Sequence, residues 1–447
     1  MARILISDGD SRTALATTRS LVKGGHDVFV AADSRRSLAG VSHGAHPVLI
    51  RASALKEPAA YARETATFVA YAGIDLLLPV SDAAVESLLE HRPLLPDRVL
   101  LPFPSLAQFR LGTDKARVIA LAQAAGFAVP TSVSMQSLLD IQRIDEVVLP
   151  AFVKPHRSVV SDASGRAHKL EVTCVTTRDA LRACLLDLPA AAFPVLIQEA
   201  IRGHGEGCFA LRWNGASVAE FAHRRLREKP PAGGISVFRE SIAVAPSLGA
   251  ATRALLDALD WQGVAMAECK VEHESGRHVF MELNGRLWGS LQLAIDAGVD
   301  FPTLLVDCAQ RGHVAAEKAT PLPTYLTGIR SRWSWGDVDH LYARLHKSPE
   351  ALQLVPPYPN RTTVIRDFLV APFARSTREE IGRWSDPLPL LLESTRRMVA
   401  LFARLAALFK ARAASPAVAR TARGEALAQG PANPPGHRRT ASPSPLD

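Results

Sequence analysis

Apolar residues in the first hundred positions come in short runs separated by stretches of helical spacing. Arg3 to Ser7 reads as a strand, Thr13 to Lys23 as a helix and Asp27 to Ala32 as a second strand. Gly24 and Gly25 supply a left-handed stop for that helix, and Leu76 to Val80 opens another strand-to-helix crossing. Strands alternating with helices predict a parallel sheet with crossover helices.

A new unit starts near Thr113 and Asp114. These cap a helix from Lys115 to Ala125, with Gly126 as its stop and Pro130 fixing the exit. Strand patterns then recur at Val147 to Leu149, Ala151 to Lys154, Glu171 to Val175, Val195 to Gln198, Gly207 to Arg212 and Ser217 to Phe221. Their short connections predict antiparallel pairing in an α+β lobe. A last helix falls near Thr303 to Ala309, and beyond about residue 320 the pattern loosens. Leu390 to Lys410 has the spacing of an amphipathic helix with a basic polar face, suited to packing on the protein body or to weak contact with a membrane surface. From Ala413 onward the chain is rich in Ala, Pro, Ser, Gly and Arg with almost nothing apolar to bury, which predicts a disordered basic tail.

A chain of 447 residues exceeds one ordinary core, so two or three packed domains are expected. Its 47 % hydrophobic and 21 % charged residues are globular values, and no apolar run reaches the roughly eighteen residues of a membrane span. Asp8 falls too early for the apolar core of a secretory signal, so a cytoplasmic protein is expected. Cys174, Cys184, Cys208, Cys269 and Cys308 are far apart, with no C-x-x-C pair, and read as reduced packing residues. Of the net charge of +8, residues 401–447 contribute seven Arg/Lys against two acids. The basic excess thus belongs largely to a tail without interleaved aromatics, which argues against a nucleic-acid partner.

Lys115 at a helix start and Lys154 at the end of an apolar strand are placed to meet an anion, although singly either also fits a surface or salt-bridged lysine. The loop Ser7 to Ser11 could touch a phosphate but lacks the glycine spacing of a dinucleotide fold. Val195 to Ile201 runs from an apolar strand into a polar pair and a glycine-rich turn. Such a hinge suits a purine edge, with Glu206 near ribose hydroxyls; an ordinary edge strand would look the same. The sharpest signal is a hairpin of Met266 to Val271 and His278 to Asn284. By the period of two, Glu282 and Asn284 share a face, and Glu268 joins them if the register allows. Carboxylates facing each other need a cation between them. Mg²⁺ bound to nucleotide phosphates fits; pairing with Lys270 or Arg286 is the alternative. The segment His223 to Ser236, with Arg239 beyond, reads as a cationic loop facing an anion, Arg225 and Arg239 being the preferred substrate contacts.

This ordered set resembles the ATP-grasp superfamily over roughly residues 105 to 310: helix-start lysine, strand-end lysine, hinge strand and an acidic hairpin ending in Glu282-Leu-Asn-Gly-Arg286. Arg286 to Ala294 and Ala297 to Pro302 are most similar to its carbamoyl-phosphate-synthase-like, carboxylate-amine ligase branch. The resemblance implies a Rossmann-like parallel α/β domain (residues 1–105, pre-ATP-grasp), a two-lobed ATP-grasp domain (106–320), a helical C-terminal extension (321–412) and the tail (413–447). It implies ATP with Mg²⁺, or Mn²⁺, as cofactors, small-molecule carboxylate and amine substrates, and a homodimer as one option.

By the same resemblance, Lys115 and Lys154 would contact ATP phosphates, Gln198, Glu199 and Ile201 form the adenine hinge, and Glu206 hold the ribose. Glu268, Glu282 and Asn284 would ligate the metal, with Arg286 steadying the transferred phosphate or the acyl intermediate. Two positions depart from the family pattern. Gly285 stands where proline is usual, implying a looser turn, and the loop His156 to Arg166 is poorer in glycine than a phosphate cover usually is. The expected reaction is carboxylate activation as an acyl phosphate followed by attack of an amine. Bicarbonate activation, direct phosphoryl transfer and a non-catalytic ATP-binding scaffold are the rival expectations.

Overall fold

The computed structural model describes residues 1–155, 159–161, 167–169, 172–311, 322–354 and 358–414. The chain opens with β1 (Arg3–Ile6), α1 (Arg12–Lys23), β2 (Asp27–Ala32), β3 (Ala45–Leu49), α2 (Pro58–Ala72), β4 (Leu76–Leu78) and α3 (Asp82–Glu90). The four strands form one parallel sheet in the order β3-β2-β1-β4. Its middle strand is buried on both faces: Ile4 and Ile6 enter one core and Leu5 another, so the strand reads as a continuous apolar run. Ser11 caps α1 by accepting from Ala14 N at 3.0 Å, and Ser81 caps α3. Both caps stand at the carboxyl edge of the sheet, tied together where Ser7 Oγ accepts from Val80 N and Ser81 Oγ donates to Asp8, each at 3.0 Å.

Next come α4 (Leu106–Thr113) and α5 (Lys115–Ala124), the latter capped by Asp114, which accepts from Ala116 N and Arg117 N. A small lobe follows, with β5 (Ser132–Met135), β6 (Ala151–Pro155), β7 (Val159–Ser161), β8 (Ala167–Lys169), β9 (Thr173–Val175), α6 (Arg178–Asp187) and β10 (Val195–Glu199). Four of these strands make an antiparallel sheet, β5-β10-β6-β9, while β7 and β8 pair as a separate ribbon. Parts of the loop His156 to Arg166 lie outside the described residues. The strand expected at Val147 to Leu149 does not form. A 3-10 stretch, Leu138–Glu146, starts from the Ser137–Asp140 capping box, and Val147 is spent on the small lobe's core rather than on a ladder.

The large sheet contains β11 (Gly203–Trp213), β12 (Ala216–Lys229), β13 (Ile235–Ile242), β14 (Gly263–Glu272) and β15 (His278–Asn284), with α7 (Pro246–Ala258) between β13 and β14. After it come α8 (Leu291–Ala297), α9 (Phe301–Arg311), β16 (Arg330–Arg332), α10 (Ser334–His346), α11 (Arg361–Val370), β17 (Thr377–Glu379) and α12 (Leu388–Ala414). The sheet order is β15-β14-β11-β12-β13-β16-β17, so the C-terminal extension adds two strands as well as helices. The period of two sorts β11 between two cores: Phe209 and Leu211 on one face, Cys208 and Ala210 on the other. The segment His223 to Ser236 is a hairpin, not a loop: β12 continues to Lys229 and β13 restarts at Ile235. Its arginines mask the strand pattern because Ala219 to His223 are all buried and Arg224 to Lys229 are half-buried, so no simple alternation shows. Among the described residues no helix is long and apolar enough to cross a membrane. The tail beyond Ala414 lies outside the described residues.

Met1–Glu393 is one compact unit. Glu380, just past β17, holds its first and large sheets together: its Oε2 lies 2.6 Å from both Arg12 Nη1 of α1 and Arg239 Nη2 of β13, and all three groups are nearly or fully buried. Burial alone would raise the Glu380 carboxyl, but the two arginines outweigh it and hold it below the usual carboxylate range. Replacing Glu380 with Gln leaves two guanidinium groups without their counter-ion. The expected loss is about 3–5 kcal/mol in urea unfolding near neutral pH. Glu380 stabilises fully above its ordinary value of 4.5 and progressively less as pH falls through its depressed folded value, so the variant's acid dependence is flatter than wild type's.

Candidate functional site

A cavity of about 1060 Å³ lies where the carboxyl edge of the first sheet meets the small lobe and the large sheet. Lys115, Lys154, Arg225, Glu268, Glu282, Asn284 and Arg286 all line it, although they come from five separate elements and the turn after β15. A second cavity, of about 590 Å³, is lined by Ile201 at the end of the hinge, by Phe152 and Cys174 of the small lobe, and by Lys270; Arg225 borders both cavities.

The register settles the position of Glu268: β14 places it directly opposite Glu282 of β15, with a bulge on its far side. Asn284 donates to Glu282 Oε1 at 3.0 Å. Like charges directly opposite in a sheet repel. Burial is the larger cause, and Glu282 adds to it, so the Glu268 carboxyl is raised despite the nearby Arg225. Arg225 Nη2 lies 2.5 Å from Glu268 Oε2 and Arg225 Nη1 donates to Glu228 at 2.9 Å. Burial would lower that guanidinium, but Glu268 and Glu228 outweigh it and raise it. The pairing with Lys270 or Arg286 is replaced by this one: Arg286 reaches instead to Asp82 at the start of α3 and to Asn284 Oδ1.

Lys154 sits opposite Leu196 across β6 and β10, and its ammonium donates to Gln198 Oε1. Burial, with Lys115 adding to it, pushes Lys154 down to about 8 against the pull of Glu282 and Glu268. Gln198 is buried, and its Nε2 has no partner among the described residues. A lysine short of negative charge beside facing carboxylates is an arrangement completed by an anion and a cation together. The oxygen donors Glu268, Glu282 and Asn284 suit a hard divalent ion, and Lys115, Lys154 and Lys270 suit phosphate oxygens.

Four expected site residues line neither cavity. Gln198 supports Lys154. Glu199 is turned to Thr131, whose N donates to its carboxylate at 3.2 Å while Glu199 N donates to Thr131 O at 2.9 Å. Glu206 bonds His204, which borders the second cavity, at 3.0 Å and His278 at 3.1 Å. Burial raises its carboxyl, but those two hydrogen bonds outweigh it and hold it at about 2. Arg239 stands opposite Arg225 in the ladder but is fully buried on Glu380. Gly285 is closely packed: a Cβ there would lie 2.6 Å from the Trp261 indole, so a proline in this conformation would clash with it.

Several lining residues escaped the sequence reading. Lys270 had a signal, being two positions from Glu268 on the same strand face. Arg12, Asp82 and Trp333 had none, since only the tertiary fold brings them to the cavity, whereas Trp288 follows Arg286 by two positions in the stretch already singled out.

No protein-family model matches the chain and no curated protein matches it in sequence. Solved structures do match its fold. An L-amino acid ligase from Bacillus licheniformis is 14 % identical with a TM-score of 0.53, covering 69 % of this chain and 74 % of its own. An N5-carboxyaminoimidazole ribonucleotide synthetase from Thermus thermophilus is 17 % identical, TM-score 0.53, covering 73 % and 81 %. The biotin carboxylase domain of a 2-oxoglutarate carboxylase from Hydrogenobacter thermophilus, solved with MgADP, ADP and bicarbonate, is 14 % identical, TM-score 0.53, covering 74 % and 73 %. The chain has the ATP-grasp fold.

Because Lys154 is pushed down to about 8 from the ordinary 10.5, its neutral amine is present about two and a half pH units earlier than an ordinary lysine's. Competitive acetylation read by mass spectrometry is expected to show a Lys154 midpoint near 8. A midpoint at the ordinary 10.5 would remove the buried-lysine account.

Proposed function

We propose that this protein is an ATP- and Mg²⁺-dependent ligase that activates a small-molecule carboxylate and joins it to an amine. The observation that carries this reading is the facing pair Glu268 and Glu282, with Asn284, in one cavity with Lys115, Lys154 and Arg286. The fold it shares with an L-amino acid ligase and a MgADP-bound carboxylase domain supports it. In this reading residues 1–105 and 106–320 are the pre-ATP-grasp and ATP-grasp domains.

Glu268, Glu282 and Asn284 would hold Mg²⁺, which supplies charge neutralisation to the phosphates when bound. Ile201 borders the adenine end. Lys115 and Lys154 receive phosphate oxygens, and Lys154 regains its full charge as it does so. The substrate carboxylate oxygen attacks the γ-phosphorus as the bond to ADP breaks. An amine then attacks the acyl carbon, loses a proton and expels phosphate. Arg286, anchored by Asp82 and Asn284, faces the transferred group. Arg225 presents a fixed cation, and Trp261 packs behind Gly285 in the turn that carries Arg286. Catalysis of this kind is mostly alignment and charge compensation.

The test is ADP and phosphate release from Mg-ATP across a panel of amino acids and small acids, with and without amines, trapping acyl phosphate with hydroxylamine. Release that needs an acid and yields a hydroxamate is the expected result. Release sustained by bicarbonate alone would move the reading to carboxyphosphate chemistry, and ATP binding without release to a scaffold. Glu282→Gln is expected to lower Mg²⁺-dependent ADP formation by about 10²–10³-fold, the equivalent of a few kcal/mol, with its unfolding curve unchanged. Full activity in that variant would overturn the metal assignment.

A further inference from the structure

Two polar side chains that line the larger cavity have nitrogens without a hydrogen-bond partner among the described residues. His223 of β12 is 1 % exposed, and neither ring nitrogen has a hydrogen-bond partner among the described residues. Trp288, after the acidic hairpin, is also 1 % exposed, and its Nε1 likewise has none. Both pack on one ring: the centroids of His223 and Trp288 lie 4.8 and 4.3 Å from that of Phe209. Two positions beyond His223 on the same strand face, the Nε of Arg225 is buried without a partner too, while its outer nitrogens are committed to Glu268 and Glu228. Buried polar atoms in native proteins are nearly always satisfied. Four orphan nitrogens on three residues, two of them on β12 and one after β15, line one cavity and therefore mark a place where something polar sits.

We infer that His223, Trp288 and Arg225 Nε form a specificity subsite for an uncharged hydrogen-bonding group, a hydroxyl or carboxamide, carried by the acid that the site activates. The inference rests on the reading of this cavity as a carboxylate-activating site. Its chemistry follows from the donor and acceptor count. Trp288 and Arg225 Nε can only donate, whereas a neutral His223 offers one donor and one acceptor. Burial, with Arg225 and Arg239 adding to it, keeps His223 neutral. A hydroxyl or amide both accepts from the donors and gives a proton to the histidine acceptor. A second carboxylate has no proton to give, and Arg225 is already balanced by two carboxylates. An ammonium cannot accept and would face Arg225. A methyl group leaves every orphan unmet.

The test is calorimetric binding of matched acids to the full chain with Mg²⁺ and a non-hydrolysable β,γ-ATP analogue, using threonine against valine, asparagine against leucine, and lactate against propionate. In at least one pair the polar member is expected to bind about tenfold tighter or more, since a site built for a hydrogen-bonding group rejects its apolar isostere. Trp288→Phe keeps a ring against Phe209 and removes the N–H, and His223→Phe is the second variant. Each is expected to bring that ratio within about threefold. Equal affinities in every pair would mean that water alone satisfies these atoms and would overturn the inference. A preference surviving both variants, or no acid bound by protein that binds the analogue, would overturn it too. Failure to bind the analogue would overturn the proposed function and this inference with it.

Discussion

Two carboxylates placed opposite each other, Glu268 on β14 and Glu282 on β15, set the terms for everything around them. Backbone hydrogen bonds enforce the register, so the acids cannot separate without breaking the ladder. The protein answers with Arg225 against Glu268 and with Asn284 donating to Glu282, while Lys154, Lys115 and Lys270 border the same space. The balance is incomplete in both directions: Glu268 is raised and Lys154 lowered, each mainly by burial. A site poised this way gains most from a ligand that brings a cation and an anion together, and a metal-bound polyphosphate does so.

The second requirement is that three separate parts of the chain meet at one place. Glu380 accomplishes this from a segment remote in sequence from the acidic hairpin. By pairing with Arg12 and Arg239 together it fixes α1 against β13, and so holds the carboxyl edge of the first sheet over the large one. Arg286 makes a second tie to the first sheet through Asp82. Arg12 is stacked over Trp333, which bonds Glu393 at 2.8 Å, so the C-terminal segment also contributes to the cavity wall. At Glu380 the tie is made of charged groups buried with their partners, whereas Asp82 stays half exposed. The buried groups cost desolvation and give back a defined geometry more than raw stability.

Much of the architecture was readable because burial imposes periods. The two-sided parallel strand β1 is a continuous apolar run, α5 carries its cap and stop residues, and the alternation in β15 put Glu282 and Asn284 on one face. The misreadings have equally physical causes. Arginines on β12 looked like a solvated loop, since a pattern of charge hides a strand whose buried positions include His223. The apolar residues at Val147 to Leu149 looked like a strand, yet they serve a core. Apart from these, Glu206, expected at the ribose, has its carboxylate bonded to His204 and His278.

By itself, then, the sequence determined the alternating elements of the first sheet, helix α5 and the acidic hairpin, because those depend on local spacing and on which faces must leave water. Tertiary structure alone decided that Glu268 faces Glu282, that Arg225 reaches the site while Arg239 is buried beneath it, and that Gly285 is closely packed. It also decided that Trp288 and His223 meet across Phe209. Each of these depends on register or on contact between residues far apart in the chain. No local pattern encodes that, because it follows from how whole sheets and helices pack rather than from the period of any one of them.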